Sequence, residues 1–474
     1  MRLPQVRASK INEMQGLGMD KPGIYGIVDK LQPTLEAACR YLWAHPEPSG
    51  AEEQACAYFR TLLSDSGFAL HDAPDLDYGF YAEYGAGKPV IALLGEYDAL
   101  PGLSQKATAR KEAVVEDGAG HGCGHNLLGS ASAVAAIALK EILEAEGMGG
   151  TVRFYGCPEE ELLIRGKVKM VYHRLFDDVD FALTWHPMCH TLVWDGAALA
   201  NVSARFFFTG TPSHAGAAPE KGRSALDAVE LMNVGVNYLR EHVVDKARMH
   251  YTTSSGGLPP NIVPPKAESW YFIRAPHMSD VKGILERIKK IAQGAALMTE
   301  TEVKIEVEGG CCEIRCNHAF ADLVQENLEA CPRPAFSADE LDFARSLQAA
   351  VDPAVASRDG GLFGEGPMME GAGARDMHVQ APLTASTDGG DVSFVVPMQM
   401  FASACWPIGV APHTWQATAA SGTTLAEKGA LYAAKVIAAT AYDLFTKPDV
   451  AAGIAKEFED TKDPGYAPMV YVES

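Results

Sequence analysis

No stretch of the chain reaches the about 18 uninterrupted apolar residues that a membrane-spanning helix needs. The opening MRLPQVRASKINEMQ also lacks the apolar run of a secretory signal, so the expectation is a cytoplasmic protein without membrane association. Basic residues are outnumbered: 40 Lys and Arg stand against 61 Asp and Glu, a formal charge of −21. That balance argues against nucleic acid or an anionic membrane surface as partner, since both need a basic face. A regular disulfide framework is missing as well. The 10 cysteines are scattered, and only Cys311, Cys312 and Cys316 cluster, without a second C-x-x-C. Ordinary reduced thiols are the reading preferred over a metal knuckle. No internal repeat is apparent.

What remains is a globular composition, 47% hydrophobic and 21% charged, over 474 residues, too long for one ordinary core. Two domains are expected. Apolar residues at three- and four-residue intervals predict helices over residues 24–45 and 51–68, separated by HPEPSG. KPVIALLGEYDALPG, TVRFYGCPEEE and VDFALTWHP each read as a buried strand that ends in a potential ligand or base, where sites in open α/β sheets tend to lie. SASAVAAIALKEILEA is a small-residue helix suited to packing on that sheet. Near residue 197 the pattern shifts to the alternation of a half-exposed strand in ANVSARFFFTGTPSHAG. A β-α-β-α-β order follows to about residue 312, the mark of a small inserted domain. The expected division is 1–196, 197–313 and 314–474, the first and last forming one domain. Residues 354–392, rich in Gly and Asp, read as loop.

GHGCGHN, residues 120–126, places Cys123 and His125 two apart between glycines. A C-x-H pair alone is weak, and glycine clusters usually mark turns. Set beside Glu160 or Glu161, His186 and the distant His413, it becomes a candidate metal centre, because a two-metal hydrolase draws its ligands from several strand ends. Adjacent carboxylates such as PEEE are otherwise commonly a solvated turn.

GEYDALPG, GHGCGHNLLGSA, GCPEEE, TWHP, PSHAGAAPEKGRSALDAVELMNVGVNYLREH, PPNIVP, STDGGDVS and APHTW occur in the order seen in the metal-dependent aminoacylase and carboxypeptidase family. The resemblance is to its amidohydrolase branch and runs from about residue 40 to residue 440. It implies an α/β fold: a catalytic domain with a central mixed β-sheet flanked by helices, and a smaller inserted α+β, ferredoxin-like domain for dimerisation. It also implies two divalent metal ions per subunit, zinc or manganese. Cys123 would bridge them as a thiolate, with His125 and His186 on one ion and Glu161 and His413 on the other or nearby. Glu160 would be the general base and Asp98 a supporting carboxylate, while His121 matches no family ligand.

His214 would stabilise the oxyanion from a neighbouring subunit, and Asn261 and Arg274 would hold the substrate's free carboxylate. Relatives usually carry a small residue before the carboxylate pair and glycines after it. Glu159 and LLIRGK stand there instead, leaving open which glutamate is the base. The activity implied is hydrolysis of the amide of an N-acyl or N-aroyl amino acid, with p-aminobenzoyl-glutamate-type substrates leading. Dipeptides, indole-acetyl amino acid conjugates and deamination of an aromatic amine are alternatives at the same metals, as is a noncatalytic subunit of a two-subunit hydrolase. A homodimer through the inserted domain is expected, with a second related subunit as a further partner.

Overall fold

The computed structural model describes residues 18–162, 166–377 and 385–470. The segment read above for a signal sequence, and Leu163, Ile164 and Arg165 after the glutamate run, lie outside the described residues. Strands numbered in chain order form two sheets. The larger contains β1 (Ala69–Asp72), β2 (Phe80–Ala86), β3 (Val90–Glu96), β4 (Gly150–Cys157), β5 (Phe181–Met188), β6 (Leu192–Trp194) and β11 (Met398–Ala404), in the order β1-β2-β4-β3-β5-β11-β6. β4, β3, β5 and β11 run parallel, and β1, β2 and β6 join antiparallel, so the sheet is mixed.

Every residue of β3, β4 and β11 is buried, as expected of strands covered on both faces. Side chains alternate between two cores. Ile91, Leu93, Val152 and Phe154 face helices Lys21–Lys30, Gln32–Ala44, His125–Glu146 and Thr424–Thr446. Ala92, Leu94, Tyr155 and Cys157 face the opposite side, with Met170, Val392 and Met398. Among the described residues His125–Glu146 is the only helix long and apolar enough to cross a membrane, but 89% of its apolar window is buried inside the protein. Its alanines let it lie close against the sheet.

The helix predicted over residues 24–45 is two helices, Lys21–Lys30 and Gln32–Ala44. Pro33 is the reason: it lacks the N–H that would continue the first helix and suits the first turn of a second. The segment read as loop over 354–392 also holds regular structure. Pro353–Phe363 is helical, started by Pro353 and by the Asp352 side chain, which accepts the Ala354 N–H at 2.8 Å. A short helix, Gly389–Val395, begins near its far end. Residues 378–384 lie outside the described residues.

The smaller sheet contains β7 (Ala200–Thr209), β8 (Arg248–Ser255), β9 (Lys266–Ala275) and β10 (Glu302–Cys311), ordered β10-β7-β9-β8 with all pairs antiparallel. Helices Ala225–Leu239 and Met278–Thr299 cover one face through Val229, Met232, Val236, Ile284 and Ile288. The order is therefore β-α-β-β-α-β, ferredoxin-like, with β8 added to the expected sequence of elements. RMHYTTSS escaped notice because an edge strand with a single buried residue, Met249, has no apolar alternation.

The root of this unit is tied down. The Cys312 N–H donates to Asp391 Oδ2 at 2.8 Å and the Tyr466 hydroxyl to Asp391 Oδ1 at 2.6 Å. Beyond Tyr466 the chain pairs with β10, whose register shifts between Val307 and Gly309: the Gly310 N–H donates to the Met469 carbonyl at 3.1 Å. All 10 cysteines are free, and Cys311 and Cys312 are buried at this root.

Candidate metal centre

Parallel order β4-β3-β5 brings three strand ends side by side, with Glu96 paired to Cys157 across β3 and β4. Asp98 follows β3, Glu160 and Glu161 form the turn after β4, and His186 lies near the end of β5. Cys123 and His125 arrive at the start of helix His125–Glu146. The glycines around them are required by space: Gly124 has φ +74, and a Cβ there would lie 2.9 Å from Pro187, the residue after His186. A Cβ on Gly120 would meet the Leu103 carbonyl at 2.1 Å. His413 comes from the loop after β11, its backbone N–H bound to the Gly122 carbonyl at 2.8 Å.

The side chains converge in two sets that share one atom. Cys123, His125 and His186 present donors within 4.8 Å of one another, and so do Cys123, Glu161 and His413. Cys123 Sγ is 3.3 Å from His186 Nε2, and His413 Nε2 is 3.3 Å from Glu161 Oε2. The tautomers suit a cation. His186 donates Nδ1–H to the Pro187 carbonyl and His125 donates Nδ1–H to Asp98 Oδ1, both at 2.8 Å, which turns each Nε2 inward. Burial opposes charge on His125, but Cys123 and Asp98 outweigh it and raise it well above the ordinary range, so without an ion its Nε2 carries a proton that a bound metal would displace. Burial and the neighbouring His125 push His186 down to about 4, so it is neutral. His125 Nε2 and Glu161 Oε1 are buried without a hydrogen-bond partner, the condition a metal ion relieves. Soft thiolate, imidazole and carboxylate together fit divalent transition metals.

Asp98 is not among these donors. Its Oδ1 takes His125, and its Oδ2 takes the Ser49 hydroxyl at 2.8 Å and the Glu161 N–H at 2.9 Å. Burial pushes its carboxyl up, but His125 and these hydrogen bonds outweigh it and hold the group below the ordinary range. One carboxylate thus positions two of the candidate donors. Glu160 is buried beside them, and burial together with the Glu96 and Glu161 carboxylates pushes it well above the usual range. Glu159 adopts φ +59, left-handed for a non-glycine, and its N–H is held by Glu52 Oε1 at 2.8 Å. Glu160, not Glu159, is therefore the glutamate brought to the donors. His121 is turned away: Nε2 lies 3.1 Å from the Leu42 carbonyl, and burial takes it down to about 3.

Lys167, with no role expected from sequence, is fully buried behind the site. Its Nζ bonds Glu96 Oε1 at 2.8 Å and also Asp388, whose Oδ2 accepts the Lys167 N–H at 2.7 Å. Burial opposes its charge, but Asp388 and Glu96 hold it well above the ordinary range. No local pattern announces it, because its partners Glu96 and Asp388 are distant in sequence.

The remaining predicted residues lie on the smaller unit. Arg274, at the end of β9, donates from Nη1 to Ser386 Oγ at 3.2 Å, has Glu160 in its electrostatic surroundings, and keeps a buried Nε without a partner. His214 and Asn261 are exposed neighbours, joined where the Ala215 N–H donates to the Asn261 carbonyl at 2.9 Å. His214 Nδ1 accepts the Gly216 and Ala217 N–H groups at 3.2 and 3.1 Å. Its Nε2–H is consequently the outward-facing donor.

A mixed α/β sheet with metal donors at its strand ends and a ferredoxin-like insertion define a class, the two-unit metallohydrolases. Residues 199–299 match the family described as the peptidase dimerisation domain. The chain is 42% identical over 447 residues to a subunit of the p-aminobenzoyl-glutamate hydrolase of Escherichia coli, covering 90% of this chain and 93% of that one. It is 27% identical to the Xaa-Arg dipeptidase of Mus musculus, over 91% and 90% of the two chains. The crystal structure of a dinuclear metal-binding peptidase of Bacillus subtilis superposes with a TM-score of 0.57 at 18% identity, over 88% of this chain and 99% of that one, a likeness of fold. The chain belongs to the metal-dependent aminoacylase and carboxypeptidase family, in its amidohydrolase branch, together with that p-aminobenzoyl-glutamate hydrolase chain. It is an amidohydrolase of acyl amino acids.

Proposed function

We propose that the chain hydrolyses the amide of N-aroyl amino acids of the p-aminobenzoyl-glutamate type with two divalent ions, zinc or manganese. The observation that carries this is the pair of three-donor sets sharing Cys123 Sγ, with Glu160 alongside. Cys123, His125 and His186 would hold one ion, and Cys123, Glu161 and His413 the other. Bound ions of this kind polarise the scissile carbonyl and bring water into its nucleophilic form near neutral pH. Glu160 takes the proton of the attacking water and hands it to the departing amine, a task suited to a carboxyl already held well above its usual range. Arg274, with its unpartnered buried Nε–H, receives the substrate's α-carboxylate. His214 offers Nε2–H to the oxyanion and Asn261 stands beside it.

In one chain His214 and Asn261 hydrogen-bond within their own loop and a neighbouring one, and we assign them to the active site of a second copy. Support comes from the smaller unit, where Leu231, Val234 and Tyr238 line one exposed stripe, 40%, 50% and 75% accessible, on helix Ala225–Leu239. A homodimer through this unit follows, cytoplasmic as the free thiols favour. The Escherichia coli relative is itself one subunit of a hydrolase, which supports a second, related partner chain. A dipeptide substrate is the second reading, favoured by the Mus musculus relative.

The test is hydrolysis of a panel of p-aminobenzoyl, acetyl, benzoyl and indole-acetyl amino acids and dipeptides, by metal-stripped protein with zinc or manganese restored. Metal-dependent preference for the aroyl-glutamate is expected. Arg274→Ala should raise KM for substrates bearing an α-carboxylate roughly ten- to a hundredfold. Silence of wild type across the panel with metal bound defeats the reading.

A further inference from the structure

Arg274 stands at the end of β9 on the smaller unit, whereas the metal donors stand at strand ends of the larger sheet. A substrate gripped at both ends needs that separation fixed, because a misplacement of about 1 Å costs on the order of a hundredfold in rate. The guanidinium is steered by Ser386, whose Oγ accepts from Nη1 at 3.2 Å, while the buried Nε is left for a ligand. Whatever holds Ser386 therefore holds the aim of the arginine.

Residues 385–391 run between the two units and grip both. On the side of the smaller unit, the Leu199 N–H, just before β7, donates to the Ala385 carbonyl at 2.9 Å, and the Cys312 N–H, just after β10, donates to Asp391. Gly390 passes so close to that strand end that a Cβ would lie 2.0 Å from the Cys312 carbonyl. On the side of the larger sheet the wholly buried Asp388 takes Lys167 twice: Oδ2 accepts its backbone N–H at 2.7 Å, and Oδ1 meets its ammonium. Gly166 makes this approach possible, since a Cβ there would lie 2.7 Å from Asp388 Oδ2 and 2.2 Å from the carbonyl of Pro158, two residues before Glu160. The same ammonium donates to Glu96 Oε1 at 2.8 Å, at the end of β3. Lys167 is 1% exposed, so its charge and those of the two carboxylates persist there only as a paired set.

We propose that Lys167 is the positioning residue for Arg274: by anchoring Asp388 to the end of β3 it sets Ser386, and through it the guanidinium, at the distance from the metal donors that the substrate's α-carboxylate requires. The inference rests on the reading of Arg274 as the partner of that carboxylate. Lys167 touches neither substrate nor ion and acts through the segment it ties. With the ammonium removed, Asp388 and Glu96 are left as two buried carboxylates without their shared cation, and the segment that carries Ser386 loses its tie to the larger sheet. The loss falls on recognition of the carboxylate, which distinguishes this role from one in general stability.

The experiment uses the full chain supplied with zinc and two substrates, p-aminobenzoyl-glutamate and its α-carboxamide, which differ only in the group Arg274 receives. Wild type should prefer the acid roughly ten- to a hundredfold in kcat/KM. Lys167→Met, which keeps the length and loses the charge, should lower that preference at least about fivefold, mainly through KM for the acid. In Lys167→Met/Arg274→Ala the preference should match that of Arg274→Ala alone, the non-additivity expected when one residue acts through the other. Calorimetry of both compounds on Glu160→Gln protein, with and without Lys167→Met, reads the same preference as affinity where turnover is slow. Circular dichroism shows which variants fold, and the isosteric Asp388→Asn carries the test should Lys167→Met not fold. A folded variant with the wild-type preference overturns the proposal, and so does an equal loss on both substrates, which places the effect on the metal row instead. Hydrolysis by wild type without discrimination between acid and amide overturns the role of Arg274 and this proposal together. Silence of wild type on both compounds overturns the substrate reading on which they rest.

Discussion

Glu160 and Glu161 are neighbours with opposite fates. The Glu161 backbone is pinned by Asp98 and its carboxylate meets His413, whereas Glu160 is pushed well above the usual range by burial and by the Glu96 and Glu161 carboxylates. Glu160→Gln should lower kcat roughly a hundred- to ten-thousandfold with both ions still bound, measured by turnover and metal content of the same preparation. Glu52, wholly buried behind this turn, is pushed up to about 8 by burial and by Asp98. The folded protein therefore binds a proton there that the unfolded chain, with an ordinary glutamate near 4.5, has released. Stability contributed at Glu52 is full below about 4.5 and is lost as pH rises through about 8. Glu52→Gln should consequently melt closer to, or above, wild type at about pH 9 than at about pH 5 in metal-free scans. Among the candidate donors, Glu161 and His186 stood out because they end apolar strands, Cys123 and His125 because they lie two apart between glycines, and His413 only through the family resemblance. Lys167 was not, since its burial depends on carboxylates 71 and 221 positions away that no local pattern announces.

At the scale of elements, strands buried on both faces and helices with one apolar stripe declared themselves. Met278–Thr299 follows its sequence pattern from end to end. What escaped was structure whose reason is not apolar periodicity. β8 is held by backbone pairing to β9 while its side chains face outward, and Pro353–Phe363 is a helix in spite of Gly360 and Gly361 because its N-terminal cap is sound. The link Gly120–Gly124 shows the reverse case, where composition read as a turn has a spatial cause. Gly124→Ala forces a side chain into left-handed backbone and against Pro187. It should destabilise the protein by about 1–2 kcal/mol or more and weaken metal binding through the adjoining His186, as seen by denaturant melts and zinc titration.

For the whole molecule, the question is which residues of one copy serve another. If His214 acts across the dimer, His214→Ala and Glu160→Gln proteins are each inactive alone, yet dissociated and reassociated together they regain activity. Random pairing leaves about a quarter of all sites with an intact set. No recovery in a mixture shown to exchange subunits would place His214 in its own chain's site. The smaller sheet has two edges, and they are guarded unequally. β10 carries Glu302, Lys304, Glu306 and Glu308, breaks register at Gly309, and has Met469 and Val470 lying along its last residues. β8 runs regularly from Arg248 to Thr253 with mostly uncharged side chains. Growth of the sheet is thus open on one side and obstructed on the other, so two copies meeting at β8 exhaust each other's capacity to recruit a third. In the proposed homodimer, pairing at β8 would use the open edge and leave a third copy none, because the residues that fasten the C-terminal segment block the other edge.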